Sequence, residues 1–120
     1  MLVIKVLRKK IIMEAFLNEI IESNTVWLLQ SDDGLFAMLE GENKISYLPV
    51  WPNEKAAAAS ILDEWNGYET VEMELKEFIT WLNELQEDEM WIGLTTETDG
   101  RILPFEAAQL QKIILDLRKK

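Results

Sequence analysis

The sequence predicts an α+β fold in which a mainly antiparallel sheet is packed against about four helices. Three observations lead to this class. Short apolar runs of strand length occur among longer stretches of helical periodicity, in the order α-βββ-α-β-α-ββ-α. The first three strand-like runs are joined by glycine-containing connections of hairpin length, as in an antiparallel meander. Strands and helices also lack the strict alternation that a parallel α/β sheet requires.

The first helix is predicted to begin near Met13. Apolar residues recur there at spacings of three and four, and acidic residues occupy the opposite face. Residues 1–12 precede this pattern and are interpreted as an N-terminal extension or an extra strand. Residues 13–120 are then predicted to form a single α+β domain. The members of the apolar face are Met13, Phe16, Leu17, Ile20 and Ile21.

Three further helices are predicted. Asn53 is a candidate N-cap for a helix over residues 54–62, and Pro52 disfavours helical geometry just before it. The helical period returns over residues 75–85. The last helix is predicted to begin near Pro104 and ends in basic residues, which suit the negative end of the helix dipole.

The predicted strands are short. The first two runs are apolar on both faces, which indicates strands that are covered on both sides. The fourth run alternates apolar with polar or acidic residues, so one of its faces is expected to meet water. A turn is predicted at residues 97–100, between the last two strands. The predicted strands cover residues 26–30, 35–40, 45–50, 70–75, 90–95 and 101–103.

Two residue types that carry much of protein chemistry are missing from the chain. It contains no cysteine, which excludes disulfides and thiolate metal sites and favours a reducing, cytoplasmic location. It contains no histidine, which excludes imidazole bases, Ser–His and Cys–His dyads and histidine zinc sites. No serine lies in a G-x-S-x-G motif, and no phosphate-binding glycine loop is present. We therefore predict no catalytic residue, no metal and no cofactor.

The chain is strongly acidic, with a net charge of −10. Between residues 11 and 111 only Lys44, Lys55, Lys76 and Arg101 are basic, whereas 21 residues are acidic. Such a surface repels phosphate backbones, so we predict no nucleic-acid binding. No apolar run approaches the roughly 20 residues that span a bilayer, so no membrane insertion is predicted. A basic protein is the partner that this charge favours, although simple solubility also explains it. The oligomeric state is left open.

Aromatic residues are the main candidates for contact with a ligand or partner. Five tryptophans are many for a core formed by 120 residues. Tryptophan and tyrosine offer large contact areas with one polar group each. We expect Trp51 and Trp65, which lie at element ends, to be the exposed pair. The more ordinary interpretation is that these residues seal the edge of a core. The candidate binding residues are Trp51, Trp65, Tyr68 and Trp91, with Trp81 as a further member of the cluster.

Adjacent carboxylates are the second candidate feature. A hydrolase would need two of them to converge in different environments within a pocket. The calcium-binding loop pattern is absent, and most of these acids lie in predicted turns, where aspartate and glycine simply form the turn. Solvated turns are therefore the simpler interpretation. The acidic pairs are Asp32–Asp33, Glu40/Glu42, Glu72/Glu74, Glu87–Asp88–Glu89 and Glu97/Asp99.

Three sequence segments carry a resemblance to a known family. LPVWP at 48–52, EWNGYE at 64–69 and MELKEFITWLNEL at 73–85 resemble the uncharacterised bacterial family catalogued as domain of unknown function 2750. The resemblance runs from about residue 14 to residue 109. Asn83 stands where the family tends to have proline, and Glu89 where it tends to have glycine. The resemblance implies a small cytoplasmic bacterial protein of mixed α+β fold, and it supplies no active-site residue.

Charge, size and the missing catalytic residue types favour a non-enzymatic protein-binding or regulatory module. One concrete version is an immunity- or inhibitor-type protein that covers a basic toxin or nuclease. Two alternatives remain open. The first is a carboxylate-based hydrolase or isomerase, assisted by a divalent ion, with two acids converging beside a tryptophan. The second is a small-molecule sensor with an apolar slot under Trp51 and Trp65.

Overall fold

The computed structural model describes residues 2–41, 44–62, 65–95 and 102–119, and for residues 2–10 and 12 it describes the backbone alone. The α+β class is confirmed, and the strand pairs are mostly antiparallel. The elements are α1 (Leu2–Ser23), β1 (Thr25–Gln30), β2 (Leu39–Glu40), β3 (Ser46–Val50), α2 (Glu54–Ala59), β4 (Glu69–Glu74), α3 (Leu75–Glu87), β5 (Trp91–Thr95), β6 (Ile102–Glu106) and α4 (Ala107–Arg118).

The described strands form two sheets that meet edge to edge. One sheet has two strands, in the order β1-β4, and the other has four, in the order β2-β3-β5-β6. β3 and β5 are parallel, and the other neighbouring strands are antiparallel. Trp27 of β1 and Trp51, just after β3, exchange both main-chain hydrogen bonds, at 3.0 and 2.9 Å. This reciprocal pair joins the two sheets and makes their faces continuous.

The predicted three-stranded meander is only partly right. The hairpin between β2 and β3 is present, although the second strand shrinks to Leu39–Glu40. β1 pairs along its whole length with β4 and meets the second apolar run through the single bridge Gln30↔Phe36. The reason is burial, because Met73 lies opposite Val26 and extends the apolar face of β1. A local hairpin would not have added that surface.

The main hydrophobic core lies on one face of the joined sheets, here called the inner face. All three long helices, α1, α3 and α4, pack against this face. Alternate residues of β1, β3 and β5 point into the same core, as strand geometry requires. The buried strand residues are Val26, Leu28, Leu48, Val50, Ile92 and Leu94, and the buried helix residues include Phe16, Leu17, Ile20, Phe78, Leu82, Leu110 and Ile114.

A second, smaller cluster lies on the opposite, outer face. Trp27 and Leu29 alternate with the inner residues of β1, so they point outward toward α2. The prediction of cover on both sides is therefore confirmed for β1, but it is wrong for the second run, in which Leu35 and Met38 are exposed. α2 has only six residues and covers one end of the outer face. The buried members of this cluster are Leu29, Ala37, Trp51, Ala56 and Ala57.

The predicted cap of α2 is confirmed. The main-chain N–H of Ala56 donates to Asn53 Oδ1 at 2.8 Å. Asn53 Nδ2 in turn donates to Glu19 Oε2 at 2.8 Å, which ties the start of α2 to α1. The helix ends at Ala59, earlier than the predicted residue 62, and Ser60 forms its C-cap.

Two further boundaries differ from the sequence prediction. α1 begins at Leu2, so the N-terminal extension is helical and the extra strand is wrong. β6 runs to Glu106, which places Pro104 inside a strand opposite Gly93 and not at a helix start. Five-residue pairing with β5 outweighs the helical preference of that proline. The predicted turn at 97–100 lies outside the described residues.

The start of α4 is capped from a neighbouring helix. The main-chain N–H of Ala108 donates to Gln86 Oε1 at 2.8 Å. Gln111 Nε2 donates to the carbonyl of Ile79 at 2.8 Å and to Asn83 Oδ1 at 2.9 Å. Asn83 therefore helps to join α3 and α4. Within the described ranges, no helix combines the length and apolar character that a bilayer crossing needs.

The end of α3 is a Schellman motif with an unfavourable residue in its left-handed position. The N–H of Met90 donates to the carbonyl of Leu85 at 2.9 Å, and that of Glu89 to Gln86 at 3.0 Å. Glu89 has φ of 56°, in the region that favours glycine. This is the position at which the resembled family tends to have glycine.

We expect Glu89→Gly to raise the free energy of unfolding by about 1 kcal/mol, because glycine adopts positive φ without steric cost. Urea unfolding followed by tryptophan fluorescence measures the change. Glu87→Gly is the matched control, since it removes the same side chain two residues earlier, inside the helix. The control is expected to lose about 1 kcal/mol. Equal destabilisation by both substitutions would contradict the left-handed conformation of Glu89.

Candidate functional site

Trp51 is buried, so the prediction that it is one of the exposed pair is wrong. Its side chain is 1% exposed and lies under α2 on the outer face. The indole Nε1 donates to Ser60 Oγ at 2.9 Å, and Ser60 Oγ donates to the carbonyl of Ala56 at 3.2 Å. The chain turns immediately after Trp51 and folds α2 back over the ring. The position of Trp51 just after a strand therefore did not make it exposed.

Trp65 and Tyr68 join Trp51 at the edge of the same cluster. Both are partly buried, and the rings of Trp51 and Trp65 meet edge to face, with centroids 5.8 Å apart. The buried side chains of Ala56 and Ala57 pack in this cluster. A nearby cleft of about 570 Å³ is lined by Tyr68 but by neither tryptophan. Three of the four predicted binding residues thus lie together at the edge of the smaller hydrophobic cluster.

Trp91 lies away from that cluster, at the open end of the outer face. The strand register places Leu39, Tyr47, Trp91 and Glu106 in one row across β2, β3, β5 and β6. The rings of Tyr47 and Trp91 meet edge to face, with centroids 6.4 Å apart. Both rings are partly buried, and neither belongs to the main core or to the cluster under α2. They form an aromatic pair on a sheet surface.

A shallow groove lies beside Tyr47 of this pair, and Gly93 lies on β5, between the lining residues of β3 and β6. A Cβ atom on Gly93 would come within 2.5 Å of Ile102 Cγ2 and 3.9 Å of Tyr47 Cβ. The missing side chain therefore lets residues of β3 and β6 approach each other across β5. The groove has a volume of about 360 Å³ and is here called the outer groove. Its lining residues are Leu39, Glu40, Gly41, Tyr47, Ile102 and Pro104.

The described surface is predominantly acidic. Every acidic residue whose side chain is described is exposed. Glu40 lines the outer groove, and Glu106 lies opposite Trp91 at the other edge of the sheet. Carboxylates thus stand on both sides of the aromatic pair.

A separate acidic cleft lies at the junction of β4 and α3. It has a volume of about 420 Å³, and Glu72, Glu74 and Glu77 line it together with neighbouring residues of Ser23–Thr25. No tryptophan lines this cleft. Across the part of the chain that is described, no three potential metal ligands converge. The acidic residues Glu42, Glu97 and Asp99 lie outside the described residues.

Trp81, the further aromatic candidate, belongs to the inner side of the molecule. Its ring meets that of Phe36 at a centroid distance of 5.3 Å, and both pack against the main core. Tyr47, which lines the outer groove, was not among the residues predicted from the sequence. Strand alternation could have placed Tyr47 on the outer face, because Leu48 and Val50 point inward. Nothing in the sequence indicated the parallel pairing that places Tyr47 beside Trp91.

Replacement of Ser60 tests the burial of Trp51. Ser60→Ala leaves the buried indole N–H without its acceptor, and we expect a loss of about 1–3 kcal/mol in unfolding free energy. Chemical denaturation measures it. Ser23→Ala is the control, because that hydroxyl makes only an exposed hydrogen bond of 3.4 Å. A Ser60 variant as stable as the Ser23 variant would show that the indole is solvated.

Replacement of Gly93 tests the close approach in the outer groove. We expect Gly93→Ala to cost about 1–3 kcal/mol through overpacking against Ile102. In the Gly93→Ala background, Ile102→Ala is expected to cost less than it does in the original protein, because it relieves the clash. A double-mutant cycle of unfolding free energies measures the coupling. Strict additivity of the two substitutions would contradict the contact.

Comparison with known proteins gives one family. The sequence model of the family described as "Protein of unknown function (DUF2750)" matches residues 13–114. The matched range includes both sheets and the residues of the outer groove. No curated protein matches the chain. The resemblance inferred from the three sequence segments is confirmed: the chain belongs to the DUF2750 family of proteins of unknown function.

Proposed function

We propose that this protein is a non-enzymatic binding module whose partner is a basic protein. The observation that carries the proposal is the exposure of every described acidic side chain on a chain of net charge −10. A catalytic pair of carboxylates needs different environments, so that one acid is protonated and the other ionised. Exposed carboxylates at a surface lack that difference, and they remain available for contact with cations.

The charge distribution supports binding that is fast and sensitive to salt. An acidic surface raises the rate at which a basic protein arrives, and dissolved ions screen this attraction. The aromatic pair Tyr47–Trp91 supplies the apolar contact area that charge alone lacks. Charge would therefore select the class of partner, and the outer face would hold it.

An inhibitor-type role is the concrete form of this proposal. A nuclease or a toxin that acts on nucleic acid must present a basic surface to phosphate groups. An acidic protein of 120 residues is large enough to cover such a surface. The missing imidazole and thiol groups are compatible with a protein that acts by contact alone.

The alternative with a specific observation behind it is carboxylate chemistry in the cleft at the β4–α3 junction. Glu72, Glu74 and Glu77 line this cleft. Their exposure favours hydrated carboxylates over a catalytic pair. The sensor alternative loses support, because α2 fills the space beside Trp51.

A capture experiment at two ionic strengths tests the proposal. Immobilised protein is incubated with extract from its source cells at about 0.05 M and about 0.5 M salt, and bound proteins are identified by mass spectrometry. We expect one or a few basic proteins at low salt and a marked loss at high salt. Polyglutamate-coated beads are the control for non-specific attraction. Capture of no basic protein, or only of those that polyglutamate also captures, would contradict the proposal.

A further inference from the structure

We infer that the outer groove, together with the aromatic pair Tyr47–Trp91 beside it, is the docking site for an arginine side chain of the basic partner. The inference rests on the proposed function and names the surface and the group that it would recognise. Three features meet at this place and at no other cleft described above. They are an aromatic pair of which Tyr47 lines the groove, exposed acids on both sides of that pair, and apolar lining residues that belong to neither hydrophobic cluster.

The outer groove is open because the helices are distributed unevenly. The long helices cover the inner face, and α2 covers only the end of the outer face that carries Trp27 and Trp51. Tyr47 shares that outer face, since it alternates with the inward residue Leu48. Among the described residues, none of the apolar residues lining the outer groove belongs to either hydrophobic cluster.

The aromatic pair selects a cation with a flat, weakly hydrated head group. A guanidinium group can stack on an indole face and keep its N–H groups directed outward. Lysine forms a weaker version of the same contact, because its ammonium is compact and strongly hydrated. The edge-to-face packing of Tyr47 on Trp91 helps to hold the indole in place.

The flanking carboxylates complete the recognition of arginine. Glu106 lies opposite Trp91 in the β5–β6 register and is exposed. Although Glu106 is the N-cap residue of α4, its side chain makes no capping hydrogen bond. Glu40 stands on the other side, in the lining of the groove. Both carboxylates can accept charge-assisted hydrogen bonds from a guanidinium group.

The volume and the charge argue against other occupants. About 360 Å³ lies at the lower end of the range for ligand sites, which suits one long side chain better than a folded cofactor. A second copy of this chain would bring another net charge of −10 to the same acidic face. An anionic ligand would meet Glu40 and Glu106. An arginine of a basic protein satisfies both the aromatic and the acidic parts of the groove.

Fluorescence polarisation with defined peptides tests this inference. The probe is a short labelled glycine–serine peptide with arginine at alternate positions, compared with its lysine and citrulline counterparts. Citrulline keeps the shape of arginine and removes the charge. We expect the arginine peptide to bind most tightly and the citrulline peptide to show no measurable binding. Trp91→Leu is expected to weaken arginine-peptide binding at least about fivefold, and Glu106→Gln about threefold to tenfold.

Two controls separate the groove from general charge and from misfolding. Glu77→Gln makes the same change in net charge at the β4–α3 junction, and we expect it to weaken binding less than Glu106→Gln does. Trp91→Phe keeps an aromatic ring if Trp91→Leu proves unstable, and thermal unfolding of each variant checks its fold. An intermediate affinity of Trp91→Phe supports the inference.

Several results would overturn the inference. Equal weakening by Glu106→Gln and Glu77→Gln would show diffuse electrostatic attraction and no groove. Equal binding of the arginine and lysine peptides would show that stacking of a guanidinium group on Trp91 does not contribute to affinity. Formation of a dimer that Trp91→Leu dissolves would assign the groove to a second copy. Capture of a specific basic protein that binds the Trp91 and Glu106 variants unchanged would leave the proposed function standing and reject the groove.

Discussion

The reciprocal hydrogen bonds between the main chains of Trp27 and Trp51 set the arrangement of the whole molecule. They join a two-stranded and a four-stranded sheet at their edges, so that one inner and one outer face run across both. β1 becomes a central strand and must be covered on both faces. The main core satisfies one face, and the short helix α2 satisfies the other.

The outer groove follows from the different lengths of the helices. α1, α3 and α4 have enough apolar surface to cover the inner face, whereas α2 spans only Glu54–Ala59. Its small buried residues Ala56 and Ala57 allow close packing over Trp51. Beyond the reach of α2, the outer face retains Tyr47 and Trp91.

Much of the local structure could be predicted from the sequence. The spacing of apolar residues indicated α1, α3 and α4, although the starts of α1 and α4 differ. Asn53 marked the start of α2, and alternation identified the exposed side of β4. These features depend on neighbours within a few residues. The pairing of β1 with β4 and the parallel pairing of β3 with β5 depend on burial between distant segments. No local pattern contains that information.

The candidate site was predicted in part, and the errors have the same physical origin. Trp51 was expected to be exposed because it ends an element, but the chain reverses there and α2 covers the ring. Trp91 was among the candidates, whereas its neighbour Tyr47 was not. Pro104 was assigned to a helix by its residue type, and the five-residue pairing of β6 with β5 overrode that preference. Tertiary contacts decided all three outcomes.

The chemical character of the protein follows from what its surface offers. The chain has neither imidazole nor thiol, and its described carboxylates are exposed to water. Groups of this kind attract and hold cations well. Affinity at such a surface requires an apolar anchor in addition to charge, and the aromatic pair on the outer face is placed to supply one.

The openness of the outer face is measured most directly by hydroxyl-radical footprinting of the intact protein, with mass spectrometry to locate the oxidised residues. Open packing predicts that Tyr47 and Trp91 are oxidised much faster than Trp51, which is 1% exposed. Protection of Trp91 equal to that of Trp51 would contradict an open outer face, because some part of the protein would then cover the outer groove.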